Sequence, residues 1–155
     1  MQKGSQMTII MDDEGLSNIL TTTKTIALVG ASPKEARPSY RVMAYLQQAG
    51  YKVVPINPGQ EGKQILGEKV YARLSDLDMP VDMVDIFRRS EFVGDLVDEA
   101  IAIKAGTIWM QLGVINDEAA KTASDAGLDV VMDHCTKIEH ARLILSSAML
   151  ADRPL

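Results

Sequence analysis

The chain has 155 residues, 46% apolar and 24% charged, with a formal net charge of −5. This length suits one domain with its own hydrophobic core. The acidic balance, without a basic stripe carrying interleaved aromatics, argues against nucleic acid as a partner. The single cysteine, Cys135, excludes an internal disulfide framework and fits a reducing compartment. Residues 1–8 lack the apolar core of a signal peptide, and no run approaches the roughly 18–20 apolar residues of a membrane span. The sequence therefore predicts a cytoplasmic protein without a membrane partner.

The first part of the chain predicts a helix, a strand, a second helix and a second strand. Residues 1–11 are expected to form a flexible N-terminal extension, and residues 12–155 a single domain that opens with a helix over 12–20. Residues 26–29 are an apolar run that ends at a glycine, which is typical of a buried parallel strand. A helix then begins near Arg37 and stops at Gly50, and a second strand follows over 51–56.

The same alternation continues to the end of the chain. Strands are predicted over 82–87, 107–111 and 128–132, a short helical turn near Ser75, and helices over 91–105, 116–126 and 138–150. The segment 60–73 is predicted to be an irregular loop, long enough to fold over a ligand. Right-handed crossovers favour a Rossmann-like, three-layer α/β sandwich with helices on both faces of a five-stranded parallel sheet. The expected strand order is 3-2-1-4-5, with a ligand at the reversal between strands 1 and 4.

The turn after the first strand has the composition of a phosphate site. Gly30, Ala31 and Ser32 can present backbone N–H groups, and the following helix aims its N-terminus at the same place. Lys34 and Arg37 add positive charge beside them. The alternative interpretation is a plain tight turn in a solvated loop.

The same turn lacks the features of an ordinary NAD site. A dinucleotide fingerprint needs glycines at the first, third and sixth positions of the turn, where this chain has Gly30, Ser32 and Glu35. The second strand ends in Asn57 and Pro58, without the carboxylate that takes the ribose hydroxyls of NAD. Ordinary NAD binding is therefore disfavoured.

Further candidate contacts stand where other predicted strands end. Asn57 and Pro58 occupy the place of an adenine or ribose, where a side-chain amide can read an adenine edge, although Asn-Pro-Gly is also an ordinary turn sequence. Phe87 and Arg88 offer a stacking face and a phosphate donor. The alternative is that Phe87 belongs to the core and that the arginine is solvated. Arg89 fits the description of a solvated arginine better than Arg88 does.

Six short segments occur in an order and at spacings that resemble the stand-alone CoA-binding protein family. They are 30–33 (Gly-Ala-Ser-Pro), 37–40 (Arg-Pro-Ser-Tyr), 54–59 (Val-Pro-Ile-Asn-Pro-Gly), 84–91 (Val-Asp-Ile-Phe-Arg-Arg-Ser-Glu), 109–113 (Trp-Met-Gln-Leu-Gly) and 132–139 (Met-Asp-His-Cys-Thr-Lys-Ile-Glu). That family is similar to the nucleotide-binding domain of the succinyl-CoA synthetase alpha subunit, and the resemblance covers roughly residues 15–145. It departs at His134, where Arg or Lys is expected.

The resemblance implies a Rossmann-like domain that binds coenzyme A (CoA), and it supplies no reaction. It adds Ser39 and Tyr40 to the expected contacts near the phosphates. It also places Gln111, Leu112 and Gly113 beside the path of the pantetheine arm, with Trp109 assigned to the core.

A cluster of Cys, His and carboxylate side chains follows the last predicted strand. It consists of Asp133, His134, Cys135, Glu139 and His140. Zinc accepts such donors, but the paired spacings of zinc sites are missing, so no metal is predicted. Activation of Cys135 by His134 is disfavoured, because adjacent residues leaving a strand point to opposite sides. Cys135 is expected near the thiol of a bound CoA, with an inert, half-buried thiol as the alternative.

These observations favour a non-catalytic module that binds CoA or an acyl-CoA as a carrier, sensor or docking protein. The alternative is an enzyme or enzyme subunit, either an acyl-CoA synthetase-like partner or an atypical NAD(P)-dependent oxidoreductase. No residue set is convincing as a general acid and base at one site. A homodimer or a further protein partner stays open.

Overall fold

The computed structural model describes residues 9–146, which contain seven strands and five α-helices. The strands are β1 (Thr25–Val29), β2 (Lys52–Ile56), β3 (Gln64–Ile65), β4 (Glu68–Lys69), β5 (Met83–Ile86), β6 (Thr107–Met110) and β7 (Asp129–Val131). The helices are α1 (Asp13–Thr22), α2 (Pro38–Gln48), α3 (Val93–Ala102), α4 (Asp117–Asp125) and α5 (Thr136–His140), which continues as a π-helical turn, Ala141–Leu145. No helix within 9–146 is long and apolar enough to cross a membrane.

The helix ends follow from local chemistry that the sequence displays. The Asp12 side chain accepts a hydrogen bond from the Gly15 N–H at 3.0 Å, and the Asn116 side chain accepts one from the Ala119 N–H at 2.9 Å, so these residues cap α1 and α4. Gly50 and Gly127 have φ angles of 104° and 94° and terminate α2 and α4. The stop predicted at Gly50 and the end of the helix predicted over 116–126 are confirmed.

Five parallel strands form the central sheet, with helices on both faces, which confirms the predicted fold class. One face packs against α1, α2 and α5, with Leu28 and Trp109 in its core. The other packs against α3, α4 and parts of the connection between β2 and β5, with Val29 and Ile86 in its core. Trp109 is fully buried, as predicted, and its Nε1 donates to the His134 carbonyl oxygen at 2.8 Å.

The predicted strand order is wrong. The observed order is β2-β1-β5-β6-β7, so β1 lies between β2 and β5, with Val29 in register with both Ile56 and Ile86. The connection from β2 to β5 crosses β1 on the face of α3 and α4, where its Leu74 and Val81 are buried. Apolar runs identify strands that are covered on both faces, but they do not show which strands are neighbours. The sequence pattern therefore could not distinguish the predicted strand order from the observed one. The reversal of strand order therefore lies between β1 and β5.

Segment 60–73 is more regular than predicted. A 3₁₀ turn (Pro58–Gln60) leads into the antiparallel hairpin of β3 and β4, and Tyr71 then forms a parallel bridge with Ile56 of β2. Strands of two residues are too short for period-two alternation to predict them.

Several predicted boundaries differ from those in the structure. Ile9 forms a parallel bridge with Val130 of β7, and residues 1–8 of the predicted extension lie outside the described residues. The helix predicted over 91–105 is a 3₁₀ turn (Ser90–Phe92) followed by α3. The helix predicted over 138–150 begins at Thr136, and its residues 147–150 lie outside the described residues.

Candidate functional site

Three adjoining cavities open along the carboxyl edge of the sheet, around the reversal between β1 and β5. The β2 cavity (510 Å³) is lined by Val29, Gly30, Ile56, Asn57, Pro58, Ala72, Arg73, Leu74, Arg88, Leu96 and Glu99. The loop cavity (390 Å³) is lined by Gly30–Lys34, Arg37, Pro38, Ser39, Asn57, Gln60 and Phe87. The β6 cavity (460 Å³) is lined by Pro38, Val42, Phe87, Arg88, Arg89, Gln111, Leu112, Val114 and Cys135. Each pair of cavities shares lining residues, so the three cavities are neighbours and form one composite site.

Gly30 lies at the meeting point of β1 and β5. Its φ is 90°, and a β-carbon there would overlap the carbonyl group of Phe87. The Phe87 N–H donates to the Val29 carbonyl oxygen at 2.8 Å, which fixes the two strand ends together. A glycine is therefore required for the turn to pass this close to β5.

The predicted phosphate donors are only partly available. The N–H groups of Gly30 and Ala31 donate to the Ile56 carbonyl oxygen at 3.0 and 3.3 Å, so both are engaged within the protein. The Ser32 hydroxyl accepts from the Lys34 N–H at 3.1 Å. Within residues 9–146, the N–H groups of Ser32 and Ser39 have no hydrogen-bond partner. These two donors, the second in the first turn of α2, are free to bind an anion.

Cationic side chains line all three cavities. Lys34 and Arg37 are exposed, line the loop cavity and form no ion pair within the described residues. Arg88 lines both the β2 and the β6 cavity, and its guanidinium lies 4.8 Å from the centre of the Phe92 ring. Arg73 also lines the β2 cavity. The site thus offers several charge-assisted donors along its length.

The Asn57 amide is used by the protein itself. Its Nδ2 donates to the Ala31 carbonyl oxygen at 2.7 Å, and its Oδ1 accepts from the Gly59 N–H at 2.8 Å. Asn57 therefore ties the end of β2 to the turn after β1, and its side chain supports the site besides lining it.

Behind the β6 cavity lies a buried polar cluster that the sequence analysis did not identify. Asp85 is 0% exposed; its Oδ1 accepts from Gln111 Nε2 at 2.6 Å, and its Oδ2 from the Thr136 hydroxyl at 3.0 Å. Burial raises the pKa of Asp85 to about 7, and the hydrogen bonds from Gln111 and Thr136 act in the opposite direction. The sequence signal that could have revealed it is a single carboxylate within the otherwise apolar segment 83–86. The cluster joins β5, the end of β6 and the start of α5.

Cys135 precedes α5 and lines the β6 cavity with 8% of its surface exposed. Burial raises the pKa of the Cys135 thiol, and the nearby N–H groups of Ile138 and Lys137 oppose that rise. No hydrogen bond joins the His134 and Cys135 side chains within residues 9–146, and His134 Nδ1 lies 2.7 Å from the Met132 carbonyl oxygen. Within the described part of the chain, no group of three His, Cys, Asp or Glu side chains could hold a metal ion.

The structure brings nearly all of the sequence-predicted contacts to these cavities. Tyr40 and Gly113 are the exceptions. Tyr40, in the first turn of α2, packs against the core on the α1, α2 and α5 face. The Gly113 N–H donates to Asp133 Oδ1 at 2.8 Å. The lining residues that the sequence analysis missed include Arg73, Leu96 and Glu99. They come from the β2–β5 connection and from α3, whose position over β1 depends on the strand order.

Fold and site together define a Rossmann-like α/β domain whose cavities lie at the carboxyl edge of a parallel sheet. A family model described as "CoA binding domain" matches residues 24–141. The chain belongs to this CoA binding domain family, which confirms the resemblance found in the sequence.

Its relatives include small proteins and part of a larger enzyme. The chain is 37% identical over 126 residues to the uncharacterized protein YneT of Bacillus subtilis (strain 168), covering 81% of this chain and 92% of that protein. A solved structure of a hypothetical protein from Pyrococcus horikoshii OT3 has 41% identity and a TM-score of 0.82, covering 86% of this chain and 93% of that one. An ADP-forming acetate–CoA ligase of Methanocaldococcus jannaschii is 24% identical over 132 residues, which are 80% of this chain and 18% of the ligase.

Proposed function

We propose that this protein binds CoA or an acyl-CoA and acts as a non-catalytic carrier, sensor or docking module in the cytoplasm. The observation that carries the proposal is the series of three cavities around Gly30 and Phe87 in a member of the CoA binding domain family. CoA is long and has three chemically distinct parts, an adenosine 3′-phosphate, a diphosphate and a pantetheine arm. A site of three linked cavities with different linings matches such a ligand.

The loop cavity suits the diphosphate. The N–H groups of Ser32 and Ser39 lack partners in the described residues, and the side chains of Lys34 and Arg37 stand beside them. Backbone donors at a helix N-terminus together with cations are a common phosphate environment. We therefore assign the diphosphate to this position.

The outer cavities suit the two ends of CoA. The β2 cavity has apolar walls from Ile56, Leu74 and Leu96 for a flat ring, with Arg88 at its boundary for the 3′-phosphate. The β6 cavity, with Leu112 and Cys135 in its lining, suits the pantetheine arm and its thiol. Phe87 lies between the loop and β6 cavities, where CoA would turn from diphosphate to pantetheine.

Binding without catalysis is favoured by the environment of Asp85. Its pKa of about 7 would suit a general base, but its carboxylate is fully buried. Its Oδ1 accepts a hydrogen bond from Gln111 and its Oδ2 accepts one from Thr136. This arrangement supports the β6 cavity and leaves no free face for a substrate. Asp85 is thus a positioning residue in this proposal.

The second candidate function is that of an enzyme subunit, which binds CoA and presents it to a separate catalytic chain. The similarity of this chain to 18% of an acetate–CoA ligase favours it over an oxidoreductase. This candidate shares the CoA site and differs in requiring a further protein.

A thermal-shift comparison of CoA, acetyl-CoA, NAD and NADP tests the proposal. A ligand at a hundred times its Kd stabilises the folded protein by about 2.7 kcal/mol, or roughly 5–10 °C in Tm for a chain of this size. We expect CoA or acetyl-CoA to raise Tm by this amount and NAD and NADP to leave it unchanged. A shift with the nicotinamide cofactors alone would favour the oxidoreductase.

A further inference from the structure

The Glu99 side chain places a carboxylate in the β2 cavity, and one oxygen of that carboxylate has no hydrogen-bond donor in the described part of the chain. Its side chain, on the inner side of α3, is 23% exposed and lines the cavity. Its Oε1 atom is buried and has no hydrogen-bond partner among residues 9–146. Arg73 Nε forms only a long ion pair with it at 4.0 Å, beyond hydrogen-bond distance. A buried acceptor without a donor is costly, so a ligand that brings an N–H group would gain binding energy here.

The carboxylate is free to present either oxygen to such a donor. The terminal torsion of a Glu side chain is broad and roughly two-fold, so the carboxylate turns at little cost. The surrounding walls are apolar, with Val29, Ile56, Leu74 and Leu96 among them. A flat heterocycle with a donor on its edge is the chemistry that fits this combination.

The donor that fits is the 6-amino group of adenine. Adenine carries an N–H donor at position 6, where guanine and hypoxanthine carry a carbonyl acceptor. The 2′-hydroxyl of CoA fits less well, because the neighbouring 3′-phosphate would repel a carboxylate. The 6-amino group lies at the opposite end of the nucleoside from that phosphate.

We propose that Glu99 determines base specificity by accepting a hydrogen bond from the 6-amino group of the adenine of bound CoA. This inference rests on the proposed CoA site and adds a specificity residue to it. Glu99 also supplies a carboxylate near the end of β2 that the strand itself lacks, and its position on α3 explains why inspection of the strand ends did not identify it.

Titration calorimetry with CoA and with its deaminated analogue, hypoxanthine-CoA, tests the inference. The protein should bind hypoxanthine-CoA about tenfold or more weakly than CoA, because a carbonyl oxygen would face the carboxylate. Glu99→Gln keeps the shape and offers an amide that can donate to the carbonyl or accept from the amine. We expect its preference to fall to within about threefold, mainly through tighter hypoxanthine-CoA binding.

Asp98→Asn is the matched control, because it removes one negative charge at the exposed neighbouring position of α3 and should keep the original preference. Equal affinity of the unmodified protein for both ligands, or an unchanged preference in Glu99→Gln, would overturn the role of Glu99 while leaving CoA binding intact. Failure of the unmodified protein to bind CoA would overturn the proposed function, and this inference with it.

Discussion

Arg88 is the cation that two cavities share. Its guanidinium lies against the Phe92 ring and forms no ion pair with a carboxylate of residues 9–146, so its charge is available to a ligand. We predict that Arg88→Ala weakens CoA binding by roughly 1.5–3 kcal/mol, the range for a charge-assisted hydrogen bond, with little change in Tm. Titration calorimetry measures the loss. Lys63→Ala, which removes a cation at an exposed position outside the three cavities, is the control. Equal CoA affinity in Arg88→Ala and the unmodified protein would show that Arg88 is merely solvated.

Cys135 has the position, although not the acidity, of a reactive thiol. It lines the β6 cavity, and burial raises its pKa. We predict that incubation with CoA disulfide produces a protein–CoA mixed disulfide, as the Cys135 thiolate attacks one sulfur and releases CoA thiolate. The raised pKa predicts that this exchange is slower at neutral than at alkaline pH.

Intact mass, measured with and without reductant, detects the mixed disulfide, and Cys135→Ser is the control. A protein that binds reduced CoA and still stays unmodified would leave Cys135 as a packing residue.

Asp85 connects β5, the end of β6 and the start of α5 through its hydrogen bonds. Its protonation state therefore affects the stability of the contact among these three elements. Its pKa is about 7 in the folded protein and 3.8 ordinarily, so the folded state holds the Asp85 proton more tightly than the unfolded chain does. The resulting stabilisation is complete below the ordinary pKa and is lost as the pH rises through the folded pKa.

Asp85→Asn should remove this pH dependence. Between about pH 5 and about pH 8, the unmodified protein should lose about 1–3 kcal/mol more of its free energy of unfolding than Asp85→Asn does. Urea denaturation at both pH values measures the difference, and Asp95→Asn, at an exposed position of α3, serves as control. The same pH dependence in Asp85→Asn and the unmodified protein would contradict the assigned role of the buried carboxyl.

The elements differ in how far their sequences determine them. The helix ends at Asn116, Gly50 and Gly127 were predictable, because capping and positive φ leave local signals. The β3–β4 hairpin was not, because its two-residue strands form through contact with each other and not through a pattern along the chain.

For the whole molecule, most of the candidate site could be predicted although the strand order could not. The carboxyl ends of parallel strands meet at one edge whatever their order, so Ser32, Phe87 and Gln111 reach that edge in either arrangement. Arg73 and Glu99 enter the site only because the β2–β5 connection and α3 lie over β1, which is a property of the tertiary fold.

Titration calorimetry with CoA and with NAD, under identical conditions, tests the account of this molecule most directly. The cavities and cations at the β1–β5 reversal predict that CoA binds, while the missing fingerprint glycines predict that NAD gives no detectable heat of binding. NAD binding with a Kd on the order of micromolar, together with no measurable CoA binding, would contradict it.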